Sequence, residues 1–281
     1  MSNPLVSVLM TSYNREKFIG EAIESVLKST YKNFELLIVD DCSKDSTVEI
    51  AEKYASSDNR IKVFINKENL GDYPNRNHAA SLANGQFIMY VDSDDTINED
   101  ALDFLIGEFE RIPDANFSMI YYHSDIIETT LIKGEEILRK HFLERWCLNV
   151  GPGGTFIRKN FFDKIGGYDT NFGPANDMFF NLKVPVFSSV LLHTNQYLNY
   201  RRHAGQEINN KFKYLCFNHL YLKKAFQKFN FPFSPEEKKS ILKKSARNNF
   251  KAILRYVRNT GELQKAYIAF KKSGIRLTEL I

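Results

Sequence analysis

Four short apolar runs fall within the first 91 residues, at 5–10, 34–39, 61–65 and 86–91, and each is closed by a polar loop. Between them, apolar residues recur at helical spacing: Phe18, Ile19, Ala22, Ile23, Val26 and Leu27, then Val48, Ile50, Ala51 and Tyr54. Runs this short and this apolar read as strands buried on both faces. Their alternation with amphipathic helices demands βαβ units and a largely parallel sheet. Right-handed crossovers then place every strand's C-terminal end on one edge. Three polar segments leave that edge: Thr11-Ser12-Tyr13-Asn14-Arg15, Asp40-Asp41-Cys42-Ser43 and Asp92-Ser93-Asp94-Asp95. They are expected to share a crevice, where open α/β sheets bind ligands.

The last of these concentrates charge. Three carboxylates within four residues attract a hard divalent cation, Mn²⁺ or Mg²⁺. Without one, their repulsion raises the proton affinity of at least one of them. A plainer reading makes Asp94, Asp95 and Asn98 a turn that caps a helix beginning near Glu99. Asn98 can cap while the carboxylates hold the cation, so the two readings coexist.

The strand–helix rhythm loosens after residue 100. The tail starts a helix cleanly at Ser234-Pro235-Glu236-Glu237, a capping box with Pro at the first helical position, and Gly261 ends that helix. Residues 211–281 hold 17 Lys/Arg against 4 Asp/Glu, while the rest hold 21 against 30. The expected division is a catalytic domain over 1–210 and a basic helical subdomain over 211–281. No apolar run reaches the roughly 20 residues that span a bilayer, and Cys42, Cys147 and Cys216 form no metal or disulfide spacing. The N-terminal run does not read as a secretory signal. A cytoplasmic setting is expected, with attachment at the inner face of the membrane as the alternative.

The motifs in order, Val6 to Asn14, Val39 to Ser43, Asn69-Leu70-Gly71 with Arg76-Asn77, Asp92 to Asp95, and Gly166-Gly167-Tyr168-Asp169, resemble the family 2 glycosyltransferases over about residues 4–205. The resemblance implies a GT-A, Rossmann-like α/β fold: a mostly parallel central sheet flanked by helices, here with a C-terminal helical extension. It also implies an inverting, metal-dependent transferase that uses a nucleotide sugar. In that family's pattern, Thr11 and Tyr13 contact the base and Asp41 reads the uracil edge. Asp40 is the alternative reader, or holds the loop. Arg76 approaches the diphosphate or base. Asp92 or Asp94, with Ser93 between them, meets ribose or sugar hydroxyls. Asp94 and Asp95 bind Mn²⁺ or Mg²⁺, and His203 reaches the metal or the diphosphate. Asp177 is the general base, preceded by Asn176 where the family has Glu.

The donor implied is a UDP-sugar. The acceptor is a saccharide or lipid-linked saccharide, in polysaccharide or glycolipid assembly. An inactive sugar-nucleotide- or glycan-binding module is the rival from another class, with Asn176 as its hint. A nucleotidyltransferase would carry a Gly-rich loop after the first strand, which is missing here. For the basic tail, three alternatives stand: a solvated exterior packed on the body or forming a homodimer, a contact with anionic membrane, and nucleic acid, which is not expected.

Overall fold

A computed structural model describes residues 3–206 and 209–280. The chain packs as two units. The first comprises Met1–Lys133, Val150–Tyr168 and Ser188–Arg201; the second comprises Gly134–Asn149, Asp169–Phe187 and Arg202–Ile281.

The first unit carries an eight-stranded sheet. Strands β1 (Val6–Ser12), β2 (Phe34–Asp40), β3 (Ile61–Ile65) and β4 (Phe87–Tyr90) form its parallel half, in the order β3-β2-β1-β4. Beyond the two-residue β5 (Thr96–Ile97), which pairs outside this sheet, come β6 (Phe117–Ile120), β7 (Thr130–Ile132), β8 (Thr155–Arg158) and β9 (Val190–His193). They extend the sheet from β4 in the order β8-β6-β9-β7, with β8 antiparallel to both its neighbours. Helices α1 (Ile19–Leu27) and α2 (Thr47–Ala55) follow β1 and β2, as their spacing predicts. Val8, Met10, Leu36, Ile38, Met89 and Val91 meet Ile19, Ile23 and Val26 in a buried core that extends to Leu102 and Leu105 of α4 (Ala101–Arg111). Truncating one such residue to Ala costs about 2–5 kcal/mol.

The strand order fixes the site. From β1 the chain runs to β2 and β3 on one side, then returns to β4 on the other. The switch point therefore lies between the ends of β1 and β4. Register is direct: Ser12 pairs with Asp40, and Leu9 with Tyr90.

Helix α3 runs from Asp72 to Leu82. Pro74 falls in its first turn, where a missing N–H costs nothing. Helix α4 begins at Ala101, and Asn98 does not cap it. The Asn98 side chain instead donates to the Gln196 carbonyl and accepts from Asn199 Nδ2 at 3.0 Å.

The second unit is helical: α5 (Gly134–Arg139) in its first segment, then α7 (Asn176–Phe187), α8 (Lys211–Phe217), α9 (Leu220–Lys228), α10 (Pro235–Thr260) and α11 (Leu263–Ser273). Helix α6 (Lys159–Lys164) belongs to the first unit. The capping box at Ser234 and Glu237 forms as the sequence predicts, and Gly261 closes α10 at φ +73°, a left-handed conformation that suits glycine. No described helix is long and apolar enough to cross a membrane.

Candidate active site

The loops after β1 and β2 are stitched together. Asn14 N donates to Ser43 Oγ and Lys44 N to Asn14 Oδ1, both at 2.8 Å, and Arg15 N donates to Thr47 Oγ1 at 2.7 Å. Asn14 and Cys42 hold left-handed backbone, at φ +52° and +67°. Non-glycine residues there cost about 1–3 kcal/mol each, and such strain gathers at functional sites. Thr11 is half-buried, and the Tyr13 ring is 45% exposed at the loop's surface.

The two acids after β2 divide their work. Asp40 accepts from Ser12 Oγ at 2.9 Å, Ser43 N at 2.7 Å and Ser43 Oγ at 2.6 Å, all inside its own loop pair. Asp41 accepts from Asn66 Nδ2, Leu70 N and Gly71 N, each at 2.8 Å, and so ties the loop before α3 to β2. Asn66 in turn donates to Asn75 Oδ1 at 2.9 Å. Arg76 is buried from one turn into α3. Its Nε donates to Asp72 at 2.8 Å, and its Nη1 makes an ion pair with Asp92 Oδ1 at 2.7 Å that lacks hydrogen-bond alignment. Burial pushes the guanidinium down, but Asp72 and Asp92 overcome this and hold it firmly charged.

The three carboxylates after β4 draw together. One oxygen from each of Asp92, Asp94 and Asp95 lies within 4.8 Å of the others. Ser93 is buried between them. Asp94 Oδ2 accepts from Arg15 Nε at 3.0 Å. Asp95 Oδ1 accepts from Arg201 N at 3.0 Å, while the Arg201 side chain bonds the Asp94 carbonyl, Glu21 and the Phe18 carbonyl. Burial, then the charges of Asp92 and Asp94, push the Asp95 carboxyl up to about 7 against the Arg201 N–H. Three crowded hard oxygens with an acid forced upward by its neighbours are a donor set that suits Mn²⁺ or Mg²⁺, since a cation relieves the repulsion.

Arg15 is the residue that motif reading passes over. It lies in the loop after β1, and only the adjacency of β1 and β4 brings it to Asp94. Arg201 is spent on protein groups. Tyr122, just past β6, has an exposed ring, and its hydroxyl is pushed up by partial burial and by the Asp95 charge.

The remaining predicted residues lie in the second unit. Asp177 is half-buried in the first turn of α7, and its Oδ1 accepts from Met178 N at 2.6 Å. Burial and the Asp177 charge together push the buried Tyr221 hydroxyl well up. Asn176 closes the turn ahead of α7, where its Oδ1 accepts from Phe172 N at 2.9 Å and its Nδ2 donates to the Gly173 carbonyl at 2.8 Å. His203 Nδ1 accepts from Gly205 N at 3.2 Å.

Comparison with known proteins finds a family and a fold in common. Residues 7–166 match the glycosyl transferase family 2 pattern. Glycosyltransferase GlyG of Streptococcus pneumoniae is 27% identical over 230 residues, 74% of each chain. The Escherichia coli UDP-Glc:α-D-GlcNAc-diphosphoundecaprenol β-1,3-glucosyltransferase WfgD is 39% identical over 154 residues, 54% of this chain but only 59% of that one. Among solved structures, residues 1–349 of Staphylococcus aureus TarS in complex with UDP-GlcNAc superpose with a TM-score of 0.68 at 20% identity, covering 98% of this chain and 77% of that one. At that identity the likeness is one of fold.

Proposed function

The chain belongs to glycosyl transferase family 2, and from that premise we propose that it moves a sugar from a UDP-sugar to a hydroxyl of a saccharide or lipid-linked saccharide, with inversion at the anomeric carbon. One observation carries the reading: the clustered carboxylates of Asp92, Asp94 and Asp95 stand at the switch point of a parallel sheet. The setting proposed is polysaccharide or glycolipid assembly, consistent with what WfgD is named for.

Each site residue has a role in this reaction. Asp41 uses three of the roughly four lone-pair sites of a carboxylate, leaving one for the uracil N3–H. Asp40 keeps the loop in shape for it. Thr11 and the exposed Tyr13 ring receive the base. Arg76 orients Asp92 toward ribose or sugar hydroxyls, with Ser93 and Asp94 beside it. Asp94 and Asp95, with Asp92, would hold Mn²⁺ or Mg²⁺, which supplies charge neutralisation for the departing diphosphate. Arg15, released from Asp94, can turn its guanidinium to the same phosphates. His203 reaches the cation or the diphosphate. Asp177 takes the proton from the acceptor hydroxyl as it attacks.

Release of UDP from UDP-sugars, followed with and without Mn²⁺ and an acceptor, tests the reading. Asp177→Asn should slow transfer by about 10²–10⁴-fold while leaving UDP binding unchanged. No turnover with any nucleotide sugar, even with tight UDP binding, would sink it.

A further inference from the structure

The outer faces of the last two helices take no part in this chemistry. Helix α10 buries Ile241, Ala246, Asn249 and Ile253, and α11 buries Ala266, Ala269 and Ser273. These faces close on a small core with Leu215, Cys216 and Ile275, where Phe250 meets Phe270 edge to face at 5.8 Å. The opposite faces are unusual in two respects.

The first is charge. Residues 238–261 contain eight Lys/Arg and no Asp/Glu. Lys244, Arg247, Lys251, Arg255 and Arg258 follow one another every three or four positions, all exposed. Such a stripe runs along one side of the helix, whose two carboxylates, Glu236 and Glu237, lie in its first turn and leave the stripe unbalanced. The second is apolar exposure on the same two helices. Leu254 is 53% exposed, Tyr267 59% and Ile268 42%. The Lys271 Nζ lies 4.7 Å from the centre of the Tyr267 ring, so its aliphatic stem and that ring share one surface.

We propose that this two-helix face docks on an anionic lipid bilayer, with the Lys/Arg stripe of α10 against the headgroups and Leu254, Tyr267 and Ile268 entering the interface. Charge alone would serve any polyanion. The apolar residues make the choice, because a dissolved polyanion offers no hydrocarbon to receive Leu254 and Ile268, whereas the headgroup boundary does. Tyr beside Lys is suited to that boundary, with an apolar body and a polar tip. The inference goes beyond the transfer reaction and stands without it, since docking is read with no turnover at all.

Sedimentation with lipid vesicles tests it. The full chain should pellet with phosphatidylcholine vesicles containing about a quarter phosphatidylglycerol, stay in solution with phosphatidylcholine alone, and be released as salt rises. Replacing Lys251, Arg255 and Arg258 together by Gln should weaken partition about 100-fold, at a factor of roughly five per charge. The pair Tyr267→Ser and Ile268→Ser should weaken it about 10-fold and leave retention on heparin unchanged. Circular dichroism melts confirm that each variant is folded; all five positions are exposed, so no change in Tm is expected. Two results would overturn the proposal: no pelleting of the wild-type chain with anionic vesicles, or pelleting that the Tyr267/Ile268 pair does not affect. The latter would mark a general polyanion surface.

Discussion

The two ends of the parallel strands treat buried carboxylates in opposite ways. At the N-terminal end, Glu35 of β2 accepts from Ser7 Oγ at 2.6 Å, Asn84 N at 2.8 Å and Lys62 Nζ at 3.1 Å. Burial pushes its pKa up, but these donors overcome it and hold the carboxyl below its usual range. At the C-terminal end, Asp95 is as deeply buried, yet its neighbours are two more carboxylates, and it is pushed up to about 7. Burial is common to both; the partners differ. A satisfied acid stabilises the fold, while a cluster of acids left at odds is tolerated where a ligand will resolve the conflict. Asp40 and Asp41 stand between the extremes. They lie at the functional end, but both are hydrogen-bonded like Glu35.

The contrast can be broken from either end. The largest effect is expected at the triplet: Asp94→Asn or Asp95→Asn should lower sugar transfer by about 10²–10³-fold. Asp95→Asn should leave Tm unchanged or higher, because it removes like-charge repulsion and keeps an acceptor for the Arg201 N–H. A fall in Tm like that of a Glu35 variant would erase the distinction. Next comes cation binding. Mn²⁺ at about 100 times its Kd should stabilise the wild-type chain by about 2.7 kcal/mol, and should not stabilise the Asp94→Asn/Asp95→Asn pair. Differential scanning fluorimetry reads both.

At the other end, Glu35→Ala should cost about 1–3 kcal/mol in urea unfolding, since Ser7 and the Asn84 N–H lose their acceptor. UDP binding should not change. The smallest effect is on pH. A carboxyl with a depressed native pKa contributes its full stability above its unfolded pKa and loses it as pH falls through the native value. The acid limb of the wild-type stability curve should therefore be steeper than that of Glu35→Gln. Equal slopes would show that Glu35 is not the group responsible.

Much of this molecule was legible along the chain. The alternation of apolar runs with helical spacing specified β1 to β4 and their helices, because local periodicity reports which face is buried. The acidic strand ends were visible as motifs, and the charge of the tail as a count. The capping box at Ser234 and the stop at Gly261 were legible for the same reason: each is satisfied by neighbours a few residues away. Local reading failed at Asn98, whose partners Gln196 and Asn199 lie about a hundred residues on. It also gave no warning that residues 134–149 and 169–187 would pack with the C-terminal helices rather than with the sheet.

By itself, then, the sequence determined the class of fold, the order of its strands' polar ends, and where charge accumulates. These depend on periodicity and composition, which are properties of short stretches. The tertiary structure alone decided what each acid became. Asp40, Asp41 and Asp95 are the same side chain at the ends of similar strands. Asp40 meets Ser12 and Ser43, Asp41 meets Asn66 and the amides of Leu70 and Gly71, and Asp95 meets Asp92 and Asp94. Hydrogen bonding and Coulomb repulsion act over a few ångströms, so the role of a carboxylate depends on which distant residues the fold brings within that reach.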